Sequence, residues 1–188
     1  HRDLHSFPTR RSSDLARAAE LPIVLYDIPG RSGRKIDTDL LIRLGNEVEN
    51  IVGLKDAAGN PAETAKVVAR TPADFEVLSG DDALTLPLLA IGAVGVIGTT
   101  THWAGRQMGE LIAAFDAGDV ARAREINQSL LESYWYPSRE TAQYALAVKV
   151  ALRVLGQPAG PVRPPLGPEP AELEGEARAM LDRLGLLG

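Results

Sequence analysis

Only four of the 20 basic residues in this sequence are lysines (Lys35, Lys55, Lys66 and Lys149), and one of them stands where lysine chemistry is feasible. Lys55 closes the apolar run Ile51-Val52-Gly53-Leu54, which reads as a buried strand. Partial loss of water at such a strand end favours the neutral amine, the form that attacks a carbonyl to make a Schiff base. The competing reading is a side chain that snorkels to solvent or pairs with Asp56, and position alone leaves both open. The other three lysines offer less. Lys35 falls in a polar loop, Lys66 on a solvent-facing helix side, and Lys149 in an apolar helical run where the stem packs and the head reaches water. Tyr26 lies near the end of the run Pro22–Ile28, where packing is the usual role of a tyrosine; beside a reactive lysine it becomes a candidate proton relay. Arg31, in the Gly30–Gly33 loop just beyond, can fork onto a substrate carboxylate or remain a solvated loop residue.

Other chemistries are poorly supplied. There is no cysteine, so no disulfide framework, zinc ribbon or thiol nucleophile. His1 and His5 belong to an irregular start, which leaves a triad or a multi-histidine metal site to run through His102 alone. His102 and Trp103 are expected to pack at a helix start. Gly92, Gly95 and Gly98 fit neither a dinucleotide fingerprint nor a P-loop. A net charge of −5 and a pI near 5.3 argue against a nucleic-acid partner, which wants a broad basic face.

The scaffold for these residues is an alternation of strands and helices. Pro22–Ile28, Ile51–Lys55, Phe75–Leu78 and Val94–Gly98 read as short buried strands. Between them, Asp37 is a candidate N-cap for a helix burying Leu40, Leu41 and Leu44. Asn60, Pro61 and Glu63 supply a cap, a first-turn proline and a capping-box acid for a helix to Arg70, and Asp81 opens a third helix through Leu89. A fourth helix is expected from about Ala104 to Phe115. Strands alternating with helices mean parallel βα units with right-handed crossovers. Tyr26 and Lys55 are 29 residues apart, about one βαβ unit, and so fall at the carboxyl ends of neighbouring strands, where parallel α/β folds place their active groups. Ser79-Gly80-Asp81-Asp82 and Gly98-Thr99-Thr100 occupy the other two ends. After Gly118 the pattern is helical only: Asp119–Tyr134, Arg139–Leu155, a Pro-rich stretch from Gly156 to Pro170, and a closing helix Ala171–Leu184. The expected organisation is therefore four βα units over 16–118 and a helical extension over 119–188.

Residues 1–15 share no period with the rest of the chain and cluster Arg10, Arg11, Ser12 and Ser13; they read as a non-native leader or assembly artefact and are set aside in reading the fold. The uncharged stretch from Ala83 to Thr101 is long enough to suggest a membrane span. Its proline, glycines and threonines fit a short helix, a turn and a buried strand better, and no membrane segment is expected.

Four segments, in order, resemble the dihydrodipicolinate synthase family of pyruvate-dependent class I aldolases. They are Leu25-Tyr26-Asp27-Ile28-Pro29-Gly30-Arg31-Ser32-Gly33, Val52-Gly53-Leu54-Lys55-Asp56-Ala57-Ala58-Gly59, Leu78-Ser79-Gly80-Asp81-Asp82 and Gly95-Val96-Ile97-Gly98. The resemblance runs from about Ala16 to the C-terminus. It implies the C-terminal half of a (β/α)8 TIM barrel followed by C-terminal helices, since a complete barrel takes about 250 residues. It implies that Lys55 forms the Schiff base with pyruvate, that Tyr26 relays protons, that Arg31 holds the carboxyl group of the incoming aldehyde, and that Gly80 and Ile97 line the pyruvate pocket. The aldehyde implied is L-aspartate 4-semialdehyde and the product 4-hydroxy-tetrahydrodipicolinate, in lysine and diaminopimelate biosynthesis, with no metal or organic cofactor. A cytoplasmic homo-oligomer, a dimer or tetramer, is implied as well, without a nucleic-acid or membrane partner.

The Tyr-x-x-Pro-x-Arg segment is closer to the synthases than to the sialic acid lyases of the same group, which lack arginine there. The chain departs from the family pattern in three ways. It has no Gly-Thr-Thr-Gly-Glu loop, whose threonine joins the tyrosine relay. It lacks the tyrosine that a neighbouring subunit contributes. It reads Tyr144-Ala145-Leu146-Ala147-Val148-Lys149 where relatives often read Asn-Pro-x-Pro-x-Lys. The fragment is accordingly expected to be inactive by itself. Another pyruvate-dependent aldolase, such as a sugar-acid or N-acetylneuraminate-type lyase, and a non-catalytic half-barrel stand as alternatives.

Overall fold

A computed structural model describes residues 13–18, 20–138 and 144–188. They form two compact units, one ending at Ile97 and the other beginning at Gly98. Most of the leader 1–15 and the expected helix start at Arg139 lie outside the described residues.

The first unit is built on four parallel strands in the order β1 (Ile23–Asp27), β2 (Ile51–Asp56), β3 (Glu76–Ser79) and β4 (Gly95–Val96). Tyr26 is in register with Lys55, Lys55 with Leu78, and Leu78 with Gly95. Beyond β1 comes a single helical turn, α1 (Pro29–Ser32), and helices α2 (Thr38–Glu47), α3 (Pro61–Arg70) and the short α4 (Thr85–Leu89) connect the strands. The expected caps are in place: Leu40 N–H donates to the Asp37 side chain at 3.0 Å, and Glu63 N–H to Asn60 Oδ1 at 3.3 Å. Leu41 and Leu44 of α2, Val67 of α3 and Leu88 of α4 close over Leu54 and Val77, and these form one core on one side of the sheet.

Alternation along the strands sorts side chains between two faces. Ile23, Leu25, Leu54 and Val77 point to the helices. Val24, Tyr26 and Ile97 point the other way and are exposed, with Lys55 half-buried among them. Gly53, in register with Val24, is glycine because β3 passes too close for a side chain: a Cβ there would sit 2.5 Å from the Glu76 carbonyl oxygen.

Three local expectations change. The Gly30–Gly33 segment is not an open loop but the turn α1, ended by Gly33 at φ 71°. The helix expected from Asp81 begins as a 3₁₀ turn, Asp82–Leu84, before α4, because Asp81 accepts from Ala83 N–H and tightens the start. The fourth strand is only two residues long, although Val94 and Ile97 N–H still donate to the Val77 and Ser79 carbonyls, both at 2.8 Å.

The second unit is helical: α5 (Thr101–Asp116), α6 (Val120–Ser129), α7 (Leu131–Trp135), a 3₁₀ turn Tyr136–Ser138, α8 (Tyr144–Val154) and α9 (Leu173–Arg183). Met108 and Leu111 of α5 are buried, as are Ala123 and Ile126 of α6, and α5 packs with α6 although sequence pattern groups α5 with the βα units. The expected helix Asp119–Tyr134 is divided at Leu130 (φ −91°, ψ −4°) into α6 and α7. Leu130 is fully buried, and neither glycine nor proline stands at the division. Trp103 is buried as expected, donating to Ser133 Oγ at 3.1 Å and meeting Tyr136 edge-on at 6.1 Å. His102 is not a packing residue. It is exposed, its Nδ1 2.8 Å from the Thr99 carbonyl oxygen. Lys149 Nζ donates to the Pro161 carbonyl at 2.8 Å, which ties the Pro-rich stretch to α8. No helix of the described residues is long and apolar enough to cross a membrane.

Candidate active site

The carboxyl ends of β1 and β2 bring the two sharpest candidates into contact. Register places Tyr26 opposite Lys55, and the Lys55 Nζ lies 4.0 Å from the centre of the Tyr26 ring. A cation over an aromatic face is held by the ring quadrupole, so the tyrosine steers the lysine head along the open side of the sheet. Asp56 is not turned toward Lys55. It is buried on the covered side, accepting from Ala58 N–H at 2.8 Å and from Thr64 Oγ1 at 2.6 Å. The strand pleat separates neighbours 55 and 56, which removes the simplest structural reason for a lysine here.

Gly80 joins them from the end of β3. Its N–H donates to the Asp56 carbonyl at 2.7 Å, and a Cβ on it would sit 3.0 Å from Lys55 Cγ and 3.0 Å from Ala57 Cβ. The lysine stem therefore runs against bare backbone. Ile97, tied to Ser79 through its N–H, projects from the end of the fourth strand onto the same face as Lys55. Arg31 enters by chain connectivity: it is exposed on α1, which begins two residues after β1 ends, and its own N–H donates to the Ile28 carbonyl at 3.0 Å. Tyr26, Lys55 and Gly80 thus meet by contact, Ile97 by register and Arg31 by proximity along the chain.

The other lysines have other occupations. Lys66 pairs with Glu63 at 2.6 Å, and Lys35 Nζ donates to the Ile36 carbonyl and Thr38 Oγ1. Thr38 Oγ1 in turn donates to Glu63 Oε2 at 2.7 Å. The hydrogen bonds from Lys66 and Thr38 hold the Glu63 carboxyl below its ordinary range. Among the described residues no group of three or more His, Asp or Glu is placed to hold a metal ion. A surface cleft of about 560 Å³ opens at the opposite, amino-terminal strand ends, lined in part by Arg17, Glu47 and Asn50. Asn50 Nδ2 there is engaged by the Ala16 and Leu21 carbonyls, and parallel βα folds act at the other end, so the cleft is not the site.

Sequence reasoning overlooked Asp27. It is 1% exposed, accepts from Ile36 N–H at 3.0 Å and lies 3.8 Å from Lys35 Nζ. The signal was present, since an acid two residues past Leu25 must share its buried side.

Parallel βα units with a lysine and a tyrosine in register at adjacent strand ends define the class as that of α/β proteins acting at the carboxyl edge of a sheet. Comparison with known proteins gives the family. The model of the dihydrodipicolinate synthetase family matches residues 12–184. The chain belongs to that family. It is 48% identical over 158 residues to the 4-hydroxy-tetrahydrodipicolinate synthase of Acidothermus cellulolyticus, an alignment covering 84% of this chain and 50% of that protein. It is 41% identical over 173 residues to the enzyme of the same name from Moorella thermoacetica, covering 92% and 58%. Among solved structures it is similar to dihydrodipicolinate synthase from Cyanidioschyzon merolae, determined with lysine bound (TM-score 0.89, 36% identity, 97% of this chain and 63% of that one). It is similar also to that from Aquifex aeolicus (TM-score 0.87, 36% identity, 95% and 60%). The chain thus spans between half and two thirds of the length of these relatives.

Proposed function

We propose that this chain is the catalytic-lysine portion of a 4-hydroxy-tetrahydrodipicolinate synthase, a cytoplasmic homo-oligomer, with further βα units preceding it to complete a barrel. The observation that carries the reading is Lys55 beside Tyr26 at adjacent strand ends, with the lysine head on the open face. The Lys55 amine adds to C2 of pyruvate and water leaves, giving an iminium. Loss of a methyl proton turns this into an enamine, the protonated imine having acted as the electron sink. The enamine carbon bonds to the aldehyde carbon of aspartate semialdehyde, and the aldehyde oxygen takes a proton through Tyr26. The substrate's own amine then attacks the imine carbon, and Lys55 departs as the ring closes. Arg31 anchors the carboxylate of the aldehyde by a charge-assisted fork. Gly80 leaves room for the lysine stem and offers backbone to pyruvate, with Ile97 as the apolar wall.

The test is trapping. The full polypeptide, treated with pyruvate and borohydride, is expected to gain the reduced adduct on Lys55, read by peptide mass. A label on Lys66 or Lys149 with Lys55 clean would overturn the reading. Turnover with aspartate semialdehyde, compared with sugar-acid aldehydes, decides the second substrate. The 188-residue chain alone is expected to show no turnover and to self-associate in light scattering, because its open sheet face carries exposed Val24, Tyr26 and Ile97 and its sequence has no Gly-Thr-Thr-Gly-Glu loop.

A further inference from the structure

The chemistry above gives no task to Asp27, the buried acid next to Tyr26. Its carboxylate faces two groups from the far end of the excursion that leaves β1: Ile36 N–H donates to Oδ1 at 3.0 Å, and Lys35 Nζ stands 3.8 Å from Oδ2. Chain that departs from Asp27 therefore returns to it nine residues later, and Arg31 sits between. The turn that bears Arg31 is held internally by Arg31, Ser32 and Gly33 N–H donating to the Ile28 and Pro29 carbonyls. One turn is too short to persist unaided. What closes the excursion is the acceptor at its base, and a carboxylate is the strongest acceptor a side chain offers.

We propose that Asp27 is a positioning residue that clasps the 28–36 excursion at both ends and so fixes where Arg31 meets the aldehyde carboxylate. This rests on the role given to Arg31 above and adds the source of the loop's order. The clasp is selective by construction. Lys55 and Gly80 are held by the strands and by backbone bonds, among them Gly80 N–H to Asp56, which a change of the Asp27 side chain leaves standing. Loosening the clasp acts on the second substrate and spares the first.

The experiment uses the full polypeptide with Asp27→Ala, Asp27→Asn and Lys35→Met. For Asp27→Ala, KM for aspartate semialdehyde is expected to rise about tenfold, with kcat and KM for pyruvate within about twofold. The Ile36 amide should exchange faster with deuterium. Asparagine keeps an acceptor for Ile36 N–H and should recover most of the loss. Lys35→Met removes the ion pair with Asp27 together with the Lys35 hydrogen bonds to the Ile36 carbonyl and Thr38 Oγ1 but leaves the Ile36 N–H bond to Asp27, for about a two- to threefold rise in the aldehyde KM, and stands in if Asp27→Ala does not fold. Parallel damage to kcat and both KM values, asparagine as harmful as alanine, or unchanged exchange at Ile36 would each overturn the clasp. Failure to trap pyruvate on Lys55 in the unaltered enzyme would instead refute the functional reading, and exchange at Ile36 would still decide whether Asp27 orders the loop.

Discussion

The two faces of the sheet in the first unit are made from the same strands and have opposite chemistry. On the covered face the acids and the serine at the strand ends are committed: Asp56 to Thr64 and Ala58, Asp27 to Ile36, and Ser79 Oγ to the Asp81 carbonyl at 2.6 Å. Leu54 is 0% exposed there. On the open face Tyr26 is 45% exposed, and Lys55 rests on an aromatic ring rather than on a counter-ion. Residue parity along a strand thus separates the packed residues from the candidate reactive ones. Leu54 and Lys55 are neighbours in sequence, yet one belongs to the core and the other to the candidate site.

The largest effects should come from changing those two neighbours separately in the full polypeptide. Lys55→Met is expected to abolish adduct formation and to lower kcat/KM at least about a thousandfold, with stability within about 1 kcal/mol in urea titration. Leu54→Ala should do the reverse, destabilising by about 2–5 kcal/mol while the folded fraction still traps pyruvate. If Lys55→Met unfolds the protein, or Leu54→Ala stops trapping without loss of stability, the division between faces is wrong.

A smaller effect resolves the open face itself. Arg31→Ala is expected to weaken use of the aldehyde by about ten- to a hundredfold in kcat/KM, at the worth of a charge-assisted contact, and to leave pyruvate handling nearly intact. Tyr26→Phe keeps the ring beneath Lys55 and removes the hydroxyl, so it should lower kcat instead. Steady-state kinetics with each substrate varied in turn separates the two, and equal losses for both substrates in the arginine variant would count against its assignment.

The smallest effect belongs to the rim between the faces. Glu63 is held below its ordinary value near 4.5 by Lys66 and Thr38. A carboxyl depressed in the folded state contributes stability above its unfolded value and loses it as pH falls through the folded one. Stability should therefore slope gently downward as pH drops below about 4.5, and Glu63→Gln should flatten that portion of the curve in pH-dependent urea melts. The pair is exposed, so the difference between the two curves should be small and should shrink with added salt.

Much of the fold is legible because buried parallel strands are apolar runs, and runs such as Ile51-Val52-Gly53-Leu54 announce themselves. The contact of Tyr26 with Lys55 follows from two strand ends one βαβ unit apart. What could not be read is what periodicity does not encode. The turn Pro29–Ser32 is a single helical turn, too short to display a period, and the division at Leu130 falls where the sequence has neither glycine nor proline. The buried side of Asp27 follows from parity, but an acid at a strand end suggests the surface until the returning loop that buries it is known.

The close approach of Gly80 to the lysine stem bears on entropy. A free lysine side chain carries about 2 kcal/mol of rotamer freedom, which a reaction at its tip must quench. With bare backbone along Cγ on one side and the Tyr26 ring 4.0 Å from Nζ, much of that freedom is already gone before any carbonyl arrives. In the reaction proposed for Lys55, the ordering cost would fall at folding instead of at the moment of bond formation, and the amine would meet its electrophile at a raised effective concentration. A methyl group at position 80 would crowd Lys55 Cγ and Ala57 Cβ, each 3.0 Å away, and displace the stem without touching its amine.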